Sequence, residues 1–134
     1  MKADTPTGEP SRYIFVCDDE RHIVRLIQVN LERQGYEVET AFDGCEALAK
    51  MRARRPDLLV LDTLMPVMSG WQVLEEMAQH PALRDIPVVL LDGKRDDRDD
   101  EDPKGPSVPL PPIVRLRLTK PFDPRRLIEI LESP

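Results

Sequence analysis

Three short runs along the chain are apolar without alternation: Tyr13 to Cys17, Leu58 to Leu61 and Val88 to Leu91, all rich in Val, Ile and Leu. A strand with one wet face alternates, so unbroken runs of this length fit strands covered on both faces, as in a parallel sheet. Two further runs do alternate. Tyr36, Val38 and Thr40 interleave with Glu37 and Glu39, and Val114 to Leu118 interleave with Arg115 and Arg117. These are expected at half-exposed sheet edges. Between the strands the spacing changes to three and four. Ile23, Leu26, Ile27, Asn30 and Leu31 keep it up to Gly35, and Ala47, Leu48 and Met51 repeat it before Pro56. Trp71, Leu74 and Met77 mark a third helix ahead of Pro81, and Leu127, Ile128 and Leu131 a last one. Strands alternating with helices predict right-handed crossovers onto a parallel sheet, hence a doubly wound five-stranded α/β domain.

One crossover lacks its helix. In the stretch LLDGKRDDRDDEDPKGPSVPLPPIV, residues Lys94 to Asp102 include no apolar side chain, so a helix there has no face to bury. Pro103, Pro106, Pro109, Pro111 and Pro112 then exclude helix and favour extended backbone. The fourth helix is therefore expected to be degenerate or replaced by a mobile acidic loop and an extended strip. Val108, Leu110 and Ile113 are expected to lie across the adjoining sheet flank, unless a partner covers it. The predicted organisation is a flexible tail over 1–11 and one domain over 12–134, with 92–112 as its atypical segment.

Composition narrows the class. With 134 residues, 40% hydrophobic and 33% charged, the chain suits a single soluble domain. No apolar run approaches the roughly 20 residues that span a bilayer, and the opening MKADTPTGEPSR lacks a signal-peptide core. A cytoplasmic protein is expected. Cys17 and Cys45, with no second pair, are read as free thiols. A net charge of −6 with no basic stripe argues against direct nucleic-acid binding.

In doubly wound sheets the ligand crevice lies beyond the carboxyl ends of the strands. Asp18, Asp19 and Glu20 follow the first run, Asp62 ends the third, Asp92 follows the fourth, and Lys120 and Pro121 follow the fifth. Singly, each acid has an ordinary use as a helix cap or turn residue. Jointly they converge, and close carboxylate pairs repel by about 4 kcal/mol at an effective dielectric near 20. Such a group needs a cation. Few charged oxygen ligands suit Mg2+, which keeps waters and is often completed by phosphate oxygens, and Lys120 fits as a counter-charge to a phosphoryl group.

At these residues the sequence resembles the receiver domain of two-component response regulators. The carriers are CDDE after the first strand, AFDGCEAL at the second helix, PDLLVLDTLMPVMSGWQVL around the third strand, and LTKPFDPRRLIEIL at the end. The resemblance implies a flavodoxin-like sheet of order 2-1-3-4-5 and a phosphoacceptor signalling domain, not an enzyme acting on a separate substrate. It implies that Asp62 accepts a phosphoryl group from a histidine kinase or phosphotransfer protein. Asp19, Asp62 and the Leu64 carbonyl would ligate Mg2+, Asp18 would act through water, and Lys120 would pair with phosphoryl oxygens. The Lys120 to Pro121 bond is expected to be cis, while Met65, Pro66 and Gly70 are read as loop geometry. A downstream protein partner or a homodimer is expected.

Two positions depart from that pattern. Receivers carry a Thr or Ser hydroxyl where Asp92 stands and an aromatic where Arg117 stands. An ionised Asp92 cannot donate a hydrogen bond and would oppose a phosphoryl group beside it. Asp92 is expected either to salt-bridge Lys120 or crowd the metal pocket, or to turn outward, and switching is expected to be impaired or atypical. The alternative is a pseudo-receiver that binds partners independently of phosphorylation. A dehalogenase-type hydrolase needs a second Asp two residues after the first, and Leu64 stands there. His22 and His80 are read as surface residues, Trp71 as packing, and Thr63 as a structural residue alternating away from Asp62.

Overall fold

The computed structural model describes residues 12–65, 67–92, 112–119 and 123–132. The expected tail, the acidic stretch on which the expectation of a degenerate or replaced fourth helix falls, Val108 and Leu110, the Lys120 to Pro121 bond and Pro66 lie outside the described residues. The elements in chain order are β1 (Tyr13–Cys17), α1 (Arg21–Arg33), β2 (Glu37–Ala41), α2 (Gly44–Ala53), β3 (Leu58–Asp62), α3 (Gly70–Ala78), β4 (Val88–Asp92), β5 (Val114–Thr119) and α4 (Pro124–Glu132). The strands form one parallel sheet of order β2-β1-β3-β4-β5.

Both faces of the central strands are apolar because both are covered. On one face Phe15, Leu59, Leu61, Val88 and Leu90 meet Leu48 and Met51 of α2 and Val73 and Met77 of α3. On the other, Ile14, Val16, Val60, Val89 and Leu91 meet Val24, Ile27 and Leu31 of α1 and Leu127 and Leu131 of α4. β1, β3 and β4 are buried throughout, while β2 and β5 are the edges that the alternating runs predict. Among the described residues no helix is long and apolar enough to cross a membrane.

The helix ends explain how the chain re-enters the sheet. At the end of α1, Gly35 adopts φ +95, its N–H donates to the Glu32 carbonyl, and the Tyr36 N–H donates to the Leu31 carbonyl. This paired closure needs a left-handed residue, which glycine supplies without a Cβ clash. At the start of α2 the Asp43 side chain accepts from the Glu46 N–H at 2.8 Å, and Glu46 reaches back to accept from the Phe42 N–H at 3.0 Å. Lys50 joins that helix to β2 through Glu39 at 2.9 Å and pairs within the helix with Glu46 at 3.0 Å. α3 opens with a capping box between Ser69 and Gln72. Its first residue, Gly70, packs against the end of β3, where a Cβ would stand 2.2 Å from the Asp62 carbonyl oxygen.

β5 departs from the simple alternation expected of it. The ladder to β4 slips between Val88 and Val89, pairing them with Val114 and Leu116, so Arg115 is an extra residue. Val114 thereby joins the core on the α3 side, while Leu116 and Leu118 pack on the α1 side. A one-residue bulge exchanges the faces of a strand. Arg117 then stands opposite Leu90 on the α3 side, and it is only 29% exposed.

These features set three tests of stability. Gly70→Ala should lose roughly 3 kcal/mol in urea unfolding, since backbone atoms cannot yield as a side chain could. Val67, 80% exposed, holds φ 69 and gains little burial there, so Val67→Asn should add roughly 1 kcal/mol. The pH dependence of stability should carry a signature of Glu46. The Phe42 N–H holds its carboxyl below the usual value of 4.5. A depressed folded-state pKa gives stability that is present above the unfolded value and lost as pH falls through the folded one. Glu46→Gln should flatten the stability curve below about pH 4.5, read by urea titrations at successive pH values.

Candidate functional site

The carboxyl ends of β1 and β3 lie side by side because Cys17 pairs with Leu61 across the ladder. The next residues, Asp18 and Asp62, therefore emerge together at the rim of the sheet. Asp18 is wholly buried and Asp62 almost so, while Asp19 is exposed. One carboxylate oxygen from each of Asp18, Asp19 and Asp62 lies within 4.8 Å of the others. Backbone donors orient two of them: the Glu20 N–H donates to Asp18 at 2.9 Å and the Leu64 N–H to Asp62 at 3.4 Å. At this separation each ionised pair repels by about 3 to 4 kcal/mol at an effective dielectric near 20. The oxygens are hard, anionic and convergent, a donor set that fits a small divalent cation such as Mg2+.

Beneath them the Cys17 thiol is pushed well up, first by burial and then by the Asp18 and Asp62 carboxylates. It lies 3.4 Å from the Met65 sulfur, so the loop after β3 is anchored by soft packing. Cys17 and Cys45 are both free, the former buried and the latter exposed. Leu64 is 44% exposed at the mouth of the site. His22 is exposed as expected, whereas His80 is half-buried and its carbonyl accepts from the Leu83 N–H at 2.9 Å.

Lys120 lies outside the described residues, but Asp92 itself is described. It does not turn outward, since it is 8% exposed at the end of β4. Its Oδ1 accepts from the Thr63 hydroxyl at 3.1 Å and from Arg117 Nη2 at 3.2 Å, and its Oδ2 accepts from Arg117 Nε. The guanidinium fork satisfies both carboxylate oxygens, which is why burial of the acid is tolerated. The Arg117 guanidinium also lies 5.3 Å from the centre of the Trp71 ring, within cation–π range. Trp71 is half-buried packing, as expected, and Thr63 is wholly buried with its hydroxyl used. The sequence offered one signal for this pairing: both departures from the receiver pattern are charged, and their charges are opposite. Lys120 lies outside the described residues, so the structure brings together Asp18, Asp19 and Asp62, and separately Asp92 and Arg117.

The chain is similar to known proteins in sequence and in fold. The model of the response regulator receiver domain family matches residues 14–105. The alkaline phosphatase synthesis transcriptional regulatory protein PhoP of Bacillus subtilis is 40% identical over 123 residues, covering 87% of this chain and 45% of that protein. Response regulator PleD of Caulobacter vibrioides is 44% identical over 89 residues, 64% of this chain and 20% of that protein. This chain thus spans less than half the length of these curated relatives. Chemotaxis response regulator CheY4 of Vibrio cholerae superposes with a TM-score of 0.75 at 30% identity, covering 92% of this chain and 98% of that one. The receiver protein domain from Methanoculleus marisnigri gives a TM-score of 0.65 at 35% identity, covering 90% and 94%. The chain belongs to the receiver domain family of response regulators, the signalling domains of two-component systems, and has their CheY-like, flavodoxin-like fold.

Proposed function

We propose that Asp62 accepts a phosphoryl group from the phosphohistidine of a histidine kinase or phosphotransfer protein. The single observation that carries this is the convergence of Asp18, Asp19 and Asp62 oxygens within 4.8 Å at the strand ends. An Asp62 carboxylate oxygen attacks phosphorus, the P–O bond forms as the donor P–N bond breaks, and the imidazole leaves with a proton, giving an acyl phosphate. Asp18, Asp19, Asp62 and the Leu64 carbonyl would hold Mg2+, with Asp18 acting through water. When bound, the ion supplies charge neutralisation to the phosphoryl oxygens. Lys120 is proposed as the cationic partner of those oxygens. Buried Asp18 holds its place through the Glu20 N–H, so the pocket is preorganised and the donor brings the reactive bond.

Switching is proposed to be atypical, because the hydroxyl and aromatic of other receivers are replaced by the Asp92–Arg117 ion pair. The same pair favours a second reading, a pseudo-receiver that binds a protein partner irrespective of phosphorylation. A cytoplasmic setting and a downstream protein partner or homodimer fit either reading, and direct nucleic-acid binding by this domain is not proposed.

Incubation with phosphoramidate and Mg2+ separates the two. The intact chain should gain one phosphoryl group by mass, Asp62→Asn should fall to background, and EDTA should abolish the gain. A chain that gains no mass in any of these conditions belongs to the second reading.

A further inference from the structure

The Asp92 carboxylate is held at the border of the acidic pocket. Asp62 pairs with Leu91 across the ladder, and the residue after each, Thr63 and Asp92, is joined by the 3.1 Å hydrogen bond. From the other side Arg117 grips the same carboxylate with two nitrogens and lies over Trp71. A continuous set of contacts therefore links the residue beside Asp62 to a guanidinium on the next strand. The side chains of Arg117 and Asp92 are 29% and 12% exposed, so the pair is poorly screened and both donors are lost together if it opens.

We propose that Asp92 and Arg117 form an ionic latch, closed while Asp62 carries a plain carboxylate, and that a phosphoryl group on Asp62 opens it by drawing Arg117 onto phosphoryl oxygens. This rests on the role proposed for Asp62. A phosphoryl group carries about −1.5 to −2 charges and presents three acceptor oxygens, where the carboxylate carries one charge. It repels the Asp92 carboxylate and matches the guanidinium fork in geometry. Asp92 keeps the Thr63 hydroxyl as a donor after Arg117 leaves, which limits the cost of opening. Asp92 is the last residue of β4, so its change of partner is felt where the chain leaves the sheet. Arg117 also leaves the Trp71 ring, and Trp71 is the one tryptophan of the chain.

The test follows the intact chain in Mg2+ with phosphoramidate or beryllofluoride, reading mass, tryptophan emission and the Arg117 Nε–H resonance. Phosphorylation should change the emission and shift the resonance, and neither should move in Asp62→Asn. Asp92→Asn, which weakens the closed state, should bind beryllofluoride roughly tenfold more tightly. A chain that gains mass at Asp62 while emission and resonance stay fixed overturns the latch and leaves the phosphoacceptor role standing. Absence of any Asp62-dependent mass gain overturns both. A folded Asp92→Asn that binds beryllofluoride no more tightly also overturns the latch. The measurements on the intact chain need no variant to fold and decide alone if Asp92→Asn unfolds.

Discussion

Like charges held at close quarters govern the business end of this molecule. Asp18 and Asp62 are buried beside each other because the strands that carry them pair, and Asp19 completes a set of oxygens within 4.8 Å. Such a set is held by the sheet and not by its own attraction. Two apolar layers press on β1, β3 and β4 and fix where those strands end. A surface loop with the same acids would let them part; here the backbone cannot follow the repulsion without breaking the ladder. The stored repulsion is what gives the pocket its appetite for cationic charge.

A fourth acid so close would add to that repulsion, and the fold answers it locally. Asp92 ends β4 next to the pocket, yet its charge is matched by Arg117 within the same layer of side chains. The pocket and the ion pair are thus adjacent, and the charge of Asp92 is matched within its own pair. Phe42 and Glu46 show the same economy at the start of α2, where a backbone donor and a carboxylate satisfy each other. Polar groups at the sheet rim are placed by hydrogen bonds, and apolar groups below them by packing.

The strands and most helices are legible in the sequence because their periodicities are strong and their ends carry glycine, proline or acid. Gly35 and Pro56 mark boundaries for reasons of backbone geometry that any context would preserve. The grouping of Asp18, Asp19 and Asp62 is legible as well, since strand ends in a parallel sheet share one rim. The partner of Asp92 is not. It depends on the bulge at Arg115 and on which layer Arg117 joins, and alternation alone cannot register an extra residue. Nor does composition reveal that Val67 holds a left-handed backbone, because a β-branched residue is a poor marker for that conformation.

The slip between Val88 and Val89 gives β5 a division of labour. Upstream of Arg115 the strand serves the layer beneath α3, and downstream its leucines serve the layer beneath α1. Because pairing with β4 sets the register after the slip, the alignment of Arg117 with Leu90 is independent of how many residues connect the two strands. The aim of Arg117 is thereby set by the ladder to β4 and not by the chain that leads into the strand.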